Sequence, residues 1–196
     1  VDAAAALAFA RSALGLDHDT GGASGTLAAI DLSVERVSVN EPLAASRSLP
    51  ASATLLMDVG SGGGSPAIPF KLAIPRLKLT MVEAKARKSA FLREAIRHLE
   101  LTDTVVENAR YEELLARPEL HEAQHVVSLR AVRIEARVLT SLQAFVAPSG
   151  VIMLFRGPEG PQIPASLVPP LEWTSTTPLL DSLQSRLTLL TKRQIR

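Results

Sequence analysis

From Leu55 onward, apolar residues fall into short runs separated by polar or glycine-rich breaks, and their spacing switches between strand-like and helix-like. Leu55, Leu56, Met57 and Val59 enclose Asp58 in a run that predicts a buried strand, ending in Gly60, Gly62, Gly63 and Gly64. Pro66 and Pro69 open a short helix over Ala67–Ile74, and Pro75 closes it. Leu77–Val82 predicts a second strand that ends at Glu83. Arg87–Leu99 reads as an amphipathic helix whose apolar face is marked by Ala90, Phe91, Ala95 and Leu99. Thr104–Glu107, His125–Leu129 and Val151–Phe155 predict three further strands. Between them lie a short helix over Glu112–Ala116, checked by Pro118, and a longer one over Ile134–Phe145, ended by Pro148, Ser149 and Gly150. A loop over Gly157–Pro170 leads to two closing strands, Leu171–Thr176 and Arg186–Thr191. Strands alternating with helices point to an α/β, three-layer architecture on a mostly parallel sheet.

The first fifty residues are less regular. Ala3–Leu14 is rich in helix formers, Asp17–Gly25 is a loop by composition, and Ala28–Leu49 mixes a strand-like alternation over Ser33–Val39 with helix formers. The expected division is an N-terminal helical or irregular extension over residues 1–50, packed on the core of an α/β domain over residues 51–196. Val1–Leu16 lacks the basic lead of a signal peptide, and no run of about 18 apolar residues offers a membrane span, so a cytoplasmic protein without a membrane partner is expected. A start at Val rather than Met leaves room for native residues ahead of it.

Composition narrows the chemistry. The 196 residues include no cysteine, which excludes disulfides, thiolate metal sites and a cysteine nucleophile. Net charge is +1, but its distribution is uneven. Lys71, Arg76, Lys78, Lys85, Arg87, Lys88, Arg93 and Arg97 face only Glu83 and Glu94 in one stretch, and Arg186, Lys192, Arg193 and Arg196 cluster near the end. Such runs suit either a solvated helix face or a footprint for a phosphate backbone. Aromatic residues make up 4% of the chain, too few for a base-stacking platform.

The glycine corner carries the main signal. A strand, a glycine turn and a helix start form the nucleotide-binding corner of open α/β sheets. The spacing Gly60-x-Gly62-x-Gly64 departs from the dinucleotide pattern, and Ser65 and Pro66 follow. Asp58 ahead of the turn would repel a pyrophosphate and suits a cationic cofactor such as S-adenosylmethionine. Glu83, 25 residues beyond Asp58 at the tip of the second strand, is where a carboxylate can accept both hydroxyls of a ribose.

With these residues in place, DVGSGGGSPAIP from Asp58, VEAKARKSAFLREAI from Val82, ARYEEL from Ala109 and SLRAV from Ser128 resemble the bacterial 16S rRNA guanine-N7 methyltransferases, the glucose-inhibited division protein B family. The similarity runs from about Leu55 to Gly157 and, more faintly, through Arg186–Lys192. It implies a Rossmann-like class I methyltransferase fold of about seven strands, S-adenosylmethionine as cofactor, and methyl transfer to N7 of a guanosine in small-subunit rRNA, with no metal. By the same resemblance, Gly60 and Ser65 would line the methionine end, Glu83 with Ala84 and Lys85 would hold the ribose, and Tyr111 and Glu112 would flank the adenine. Arg130 would sit at the cofactor edge facing the target base, as the catalytic candidate.

The chain departs from the family pattern at Ser65, usually a bulky apolar residue, at Ala67, usually glycine, and at Arg156, often lysine. Upstream, Ile30, Asp31, Leu32 and Ser33 read as a worn copy of an Asn-Leu-Thr element, and a His…Asp-Ser element has no counterpart. Guanine N7 has a free lone pair and no proton to lose, so scattered His18, His98, His121 and His125 raise no difficulty, and His125 at a strand head reads as structural. Two alternatives stay open: a methyltransferase for another substrate, and a cofactor- or RNA-binding homologue without catalysis.

Overall fold

The computed structural model describes residues 40–130, 134–157, 169–180 and 185–194. Helix α1 (Glu41–Ser46) leads into β1 (Leu55–Val59), α2 (Ala67–Ala73), β2 (Lys78–Val82), α3 (Ala86–His98) and β3 (Thr104–Glu107). A short helix α4 (Tyr111–Leu114) and a single 3₁₀ turn (Pro118–Leu120) precede β4 (Gln124–Arg130), α5 (Ala136–Leu142) and β5 (Val146–Arg156). The chain closes with β6 (Leu171–Leu180) and β7 (Ser185–Lys192). The expectations for Ala3–Leu14, Asp17–Gly25 and Ser33–Val39 lie outside the described residues, as does most of the Gly157–Pro170 loop.

The seven strands form one sheet in the order β3-β2-β1-β4-β5-β7-β6. The first five run parallel, and β7 inserts antiparallel between β5 and β6. Alternating side chains divide the interior in two. Leu56, Val126, Met153 and Phe155 face a core shared with Ala45 of α1, Ile68 and Phe70 of α2, and Leu92 of α3. Met57, Val127, Ile152 and Leu154 face the opposite core with Leu114 of α4 and Val138, Leu139 and Leu142 of α5. Strand order reverses between β1 and β4, which is where such sheets open a crevice at their carboxyl ends.

Two sequence expectations need correction. The helix expected over Ile134–Phe145 is confined to Ala136–Leu142, and β5 already begins at Val146. Pro148, Ser149 and Gly150 therefore do not end a helix but form an excursion inside β5. Gln124 pairs with Val146 and Val126 with Val151, so the chain loops out and rejoins the ladder. Ser149 takes φ 65°, and a Cβ on Gly150 would stand 2.8 Å from the Ala147 carbonyl oxygen, so only glycine fits. On α3, Ala90 is exposed and Phe91 half-buried, whereas Ser89, Leu92 and Ala95 face the sheet. The stripe is rotated because Ser89 satisfies its hydroxyl internally, on the carbonyl of Glu83 at 2.8 Å.

His125 ties the amino ends of two parallel strands together. Its Nδ1 accepts the backbone N–H groups of Thr54 at 3.3 Å and Leu55 at 3.2 Å. The proton of the neutral ring therefore resides on Nε2. Replacing His125 by alanine leaves both donors without that acceptor and is expected to cost about 1–2 kcal/mol. Urea denaturation should show a lower midpoint at unchanged slope, and an unchanged midpoint would deny the ring any structural weight.

Candidate functional site

The glycine corner is built where β1 ends. Gly60 and Ser61 donate their N–H groups to the Val82 carbonyl at 2.9 and 3.1 Å, stitching the start of the turn to β2. Gly60, Gly62 and Gly64 take φ of 75°, 55° and 92°. At Gly64 the requirement is also steric, because a Cβ would lie 2.6 Å from Ile68 Cδ1 and 3.3 Å from Leu92 Cδ2. The turn thus seats directly on α2 and α3.

Glu83, nearly buried, closes the corner from the other side. Its Oε2 accepts the N–H of Gly62 at 3.0 Å, and its Oε1 accepts that of Lys85 at 2.8 Å. Its own backbone is held in place: Ser89 Oγ and Asn108 Nδ2 both donate to the Glu83 carbonyl, and Asn108 also reaches the carbonyl of Ala84 at 3.2 Å. An ionised carboxylate has about four acceptor positions, so two remain for hydroxyl donors. Ala84 and Lys85 are exposed beside it, and Lys85 caps α3. Lys88 leans over the turn, its Nζ 3.9 Å from where a Cβ on Gly62 would be.

Beneath the turn, Asp58 and Ser128 are register partners on β1 and β4, and Ser128 Oγ donates to Asp58 Oδ1 at 2.6 Å. Both occupy positions where the alternation would place apolar residues. Asp58 is 1% exposed, and its Oδ2 has no hydrogen-bond partner. Burial pushes its carboxyl up to about 6, although Ser128, Ser61 and the Arg130 charge pull it back down. A buried carboxylate with an open acceptor position is the form that a nearby cation would stabilise.

Arg130 ends β4 on the same edge. Its Nη1 donates to Ser65 Oγ at 3.0 Å, its Nη2 donates to Glu41 Oε2 at 2.6 Å, and its Cζ lies 5.7 Å from the centroid of the Phe155 ring. Phe155 is the register partner of Arg130 on β5 and packs against Phe70, centroids 5.9 Å apart. Burial lowers the guanidinium's proton affinity, while Glu41 and Asp58 raise it. Tyr111 opens α4 beyond β3, half-buried against the α4 and α5 core. Burial and then the neighbouring Glu112 carboxylate hold the phenol above its usual range. Glu112 itself is exposed.

The expected residues thus form three groups along the carboxyl edge. Gly60, Glu83, Ala84 and Lys85 make one corner, Ser65 and Arg130 make a second, and Tyr111 and Glu112 stand after β3. Sequence reasoning passed over Glu41, Asn108, Ser89 and Ser128. For Ser128 and Ser89 a signal existed, a lone polar residue inside an apolar run or on a buried helix face; for Glu41 none did.

The basic clusters also divide. Lys71 is 3% exposed and donates to the carbonyls of Pro75 and Leu77, both at 2.6 Å, with its proton affinity lowered by burial. Lys192 is likewise buried, holding Glu122 and the carbonyls of Gln143 and Val146 at the far edge of the sheet. Neither can serve a phosphate. Lys85, Arg87 and Lys88 are exposed at the start of α3, and Arg186 is exposed opposite Arg156 in the β5–β7 ladder, at the edge that carries Arg130. No helix among the described residues is long and apolar enough to cross a membrane.

The acceptor set suits a cationic ligand with a vicinal diol better than a pyrophosphate: two free acceptor positions on Glu83, an open acceptor on Asp58, and a turn that spends the Gly62 N–H on a carboxylate. Residues 34–167 match the family model for rRNA small subunit methyltransferase G. The chain is 37% identical over 102 residues to a ribosomal RNA small subunit methyltransferase G of Acidothermus cellulolyticus, a stretch covering 52% of this chain and 43% of that one. It is 48% identical over 84 residues to the protein of that name from Chloroflexus aggregans, covering 43% and 35%. The chain spans less than half the length of these curated relatives. In fold it is similar to a SAM-dependent methyltransferase from Aquifex aeolicus, with TM-score 0.61, 10% identity, and 93% and 97% of the two chains covered.

Asp58 makes the site's pH dependence testable. Its folded value of about 6 lies above the ordinary 3.8, so the folded state binds this proton more tightly than the unfolded state. The contribution is fully present below about pH 4 and is lost as pH rises through 6, a span worth about 3 kcal/mol. Asp58→Asn removes the titration. Its stability relative to wild type should improve by about that amount between pH 4 and pH 7.5, read from chemical denaturation at both values. Parallel curves would show that Asp58 does not titrate in this range.

Proposed function

The chain belongs to the rRNA small subunit methyltransferase G family, and on that footing we propose that it binds S-adenosylmethionine at the glycine corner and methylates N7 of a guanosine in small-subunit rRNA, in the cytoplasm. The observation that carries the cofactor half is the Glu83 carboxylate, fixed by the N–H groups of Gly62 and Lys85 with acceptor capacity to spare. In this reading Glu83, with Ala84 and Lys85 beside it, holds the ribose. Gly60 and Ser65 line the methionine end, Asp58 compensates positive charge from below the turn, and Tyr111 and Glu112 flank the adenine. The same reading divides the chain into an N-terminal extension over residues 1–50 and a methyltransferase domain over residues 51–196.

When bound, the cofactor supplies a methyl group on a sulfonium centre, already electrophilic. The acceptor N7 has a lone pair and no proton, so the chain needs no general base, and its task is positioning and electrostatic balance. Arg130 is assigned to orient the guanine, because it ends β4 on the carboxyl edge and spends one N–H on Ser65 and one on Glu41, which leaves donors to spare. Phosphates are assigned to Lys85, Arg87, Lys88, Arg156 and Arg186. Arg156 and Arg186 stand in register on β5 and β7, which puts two cations side by side at that end of the ladder.

The test incubates the chain with labelled S-adenosylmethionine and bacterial small subunits lacking the modification, then digests the rRNA. Label in 7-methylguanosine is expected; label on another base, or none despite bound cofactor, would overturn the assignment. Within the same assay, Arg130→Ala should lower turnover at least tenfold with little change in RNA affinity. Arg186→Ala should instead weaken RNA binding and reduce the salt slope by about one unit, leaving saturated turnover unchanged.

A further inference from the structure

We propose that Glu41 is the positioning residue for Arg130, and that it holds the guanidinium as an aimed, charge-balanced donor rather than a free cation. The inference rests on the reading of Arg130 as the group that meets the guanine. Glu41 is the first residue of α1, followed by Pro42, and is 4% exposed. A carboxylate that deeply enclosed requires a partner, and its Oε2 accepts from Arg130 Nη2 at 2.6 Å. Ser65 on the glycine corner takes Nη1, and the Phe155 ring lies against Cζ. Three chain segments thus fix the plane of one guanidinium: α1, the glycine turn and β5. Ser65 and Phe155 would hold its position in the crevice, but Glu41 is the carboxylate that touches it, with the Asp58 charge acting from further off.

That balance has a consequence a purely structural contact would lack. With Glu41 in place, Arg130 adds hydrogen-bond donors to the acceptor site and little net charge. Without the carboxylate, the arginine is both freer to turn and less compensated in charge, so RNA should be held more tightly and turned over more slowly. The bonds made and broken in methyl transfer are the same with and without Glu41, because it acts through its contact with Arg130.

The experiment compares full-length wild type with Glu41→Gln, Glu41→Asp, Arg130→Ala and the double variant Glu41→Gln/Arg130→Ala. In Glu41→Gln, turnover on rRNA should fall about tenfold or more while low-salt RNA affinity rises about two- to fivefold. Affinity for S-adenosylmethionine should stay within about twofold. Glu41→Asp keeps the charge and should recover turnover toward wild type. In the double variant the loss should be no greater than in Arg130→Ala alone, since Glu41 acts through Arg130. Independently of RNA, the ¹⁵N-detected Nη signals of Arg130 should report restricted rotation in wild type and faster rotation in Glu41→Gln. Additive losses in the double variant, or parallel loss of RNA affinity and turnover in Glu41→Gln, would overturn the proposal. So would Nη signals insensitive to Glu41. Wild type that transfers no methyl to rRNA would defeat the functional reading instead, and the Nη signals would then decide the positioning role alone.

Discussion

The rest of the site depends on one carboxylate and two backbone N–H groups. Glu83 stands at the carboxyl end of β2, yet its Oε2 holds Gly62 in the turn that leaves β1, and its Oε1 holds Lys85 at the start of α3. Three pieces of chain that diverge from the sheet are thereby fixed to one another. The arrangement is a charge-assisted one, stronger than a neutral pair of the same geometry. It also explains why the Glu83 backbone needs Ser89 and Asn108 as supports: a carboxylate can organise the turn only if its own strand end does not move.

Around that corner lie two buried charges, each held by specific partners. Asp58 is buried beneath the turn with Ser128 on one oxygen and an open position on the other. Across the same edge, Arg130 is balanced by Glu41 and backed by the Phe155 and Phe70 rings. Each member costs stability when considered alone, because burial disfavours charge. Such groups are found together where chemistry needs them, and the proposed transfer from a cationic methyl donor to a neutral base is chemistry of that kind. Helix α1 joins this arrangement through Glu41 rather than only packing its Ala45 on the core.

Much of the fold was legible because its signals are local. Apolar runs bounded by Gly60 and Pro75, then by Glu83 and Pro118, announced β1, β2 and the parallel sheet, and the order of strands and helices announced the layers. The Ile134–Phe145 helix was overextended because Phe145, Val146 and Ala147 suit either element, and Pro148-Ser149-Gly150 reads as a stop although it loops out of a strand. Charge was the weakest guide. Lys71 and Lys192 resemble their solvated neighbours in sequence, and only the folded chain shows them spending their ammonium groups on buried carbonyls. Glu41 was invisible for the complementary reason: its partner lies 89 positions away, and nothing near it hints at an arginine.

The central claim is that Glu83 makes the glycine corner a site for S-adenosylmethionine and not for a dinucleotide. Calorimetric titration of wild type and Glu83→Ala with S-adenosylmethionine, and of wild type with NAD, tests it directly. The account predicts one S-adenosylmethionine per wild-type chain, no NAD binding, and an affinity about ten- to a hundredfold weaker in Glu83→Ala. NAD bound in place of S-adenosylmethionine, or equal affinity in the two proteins, would contradict it.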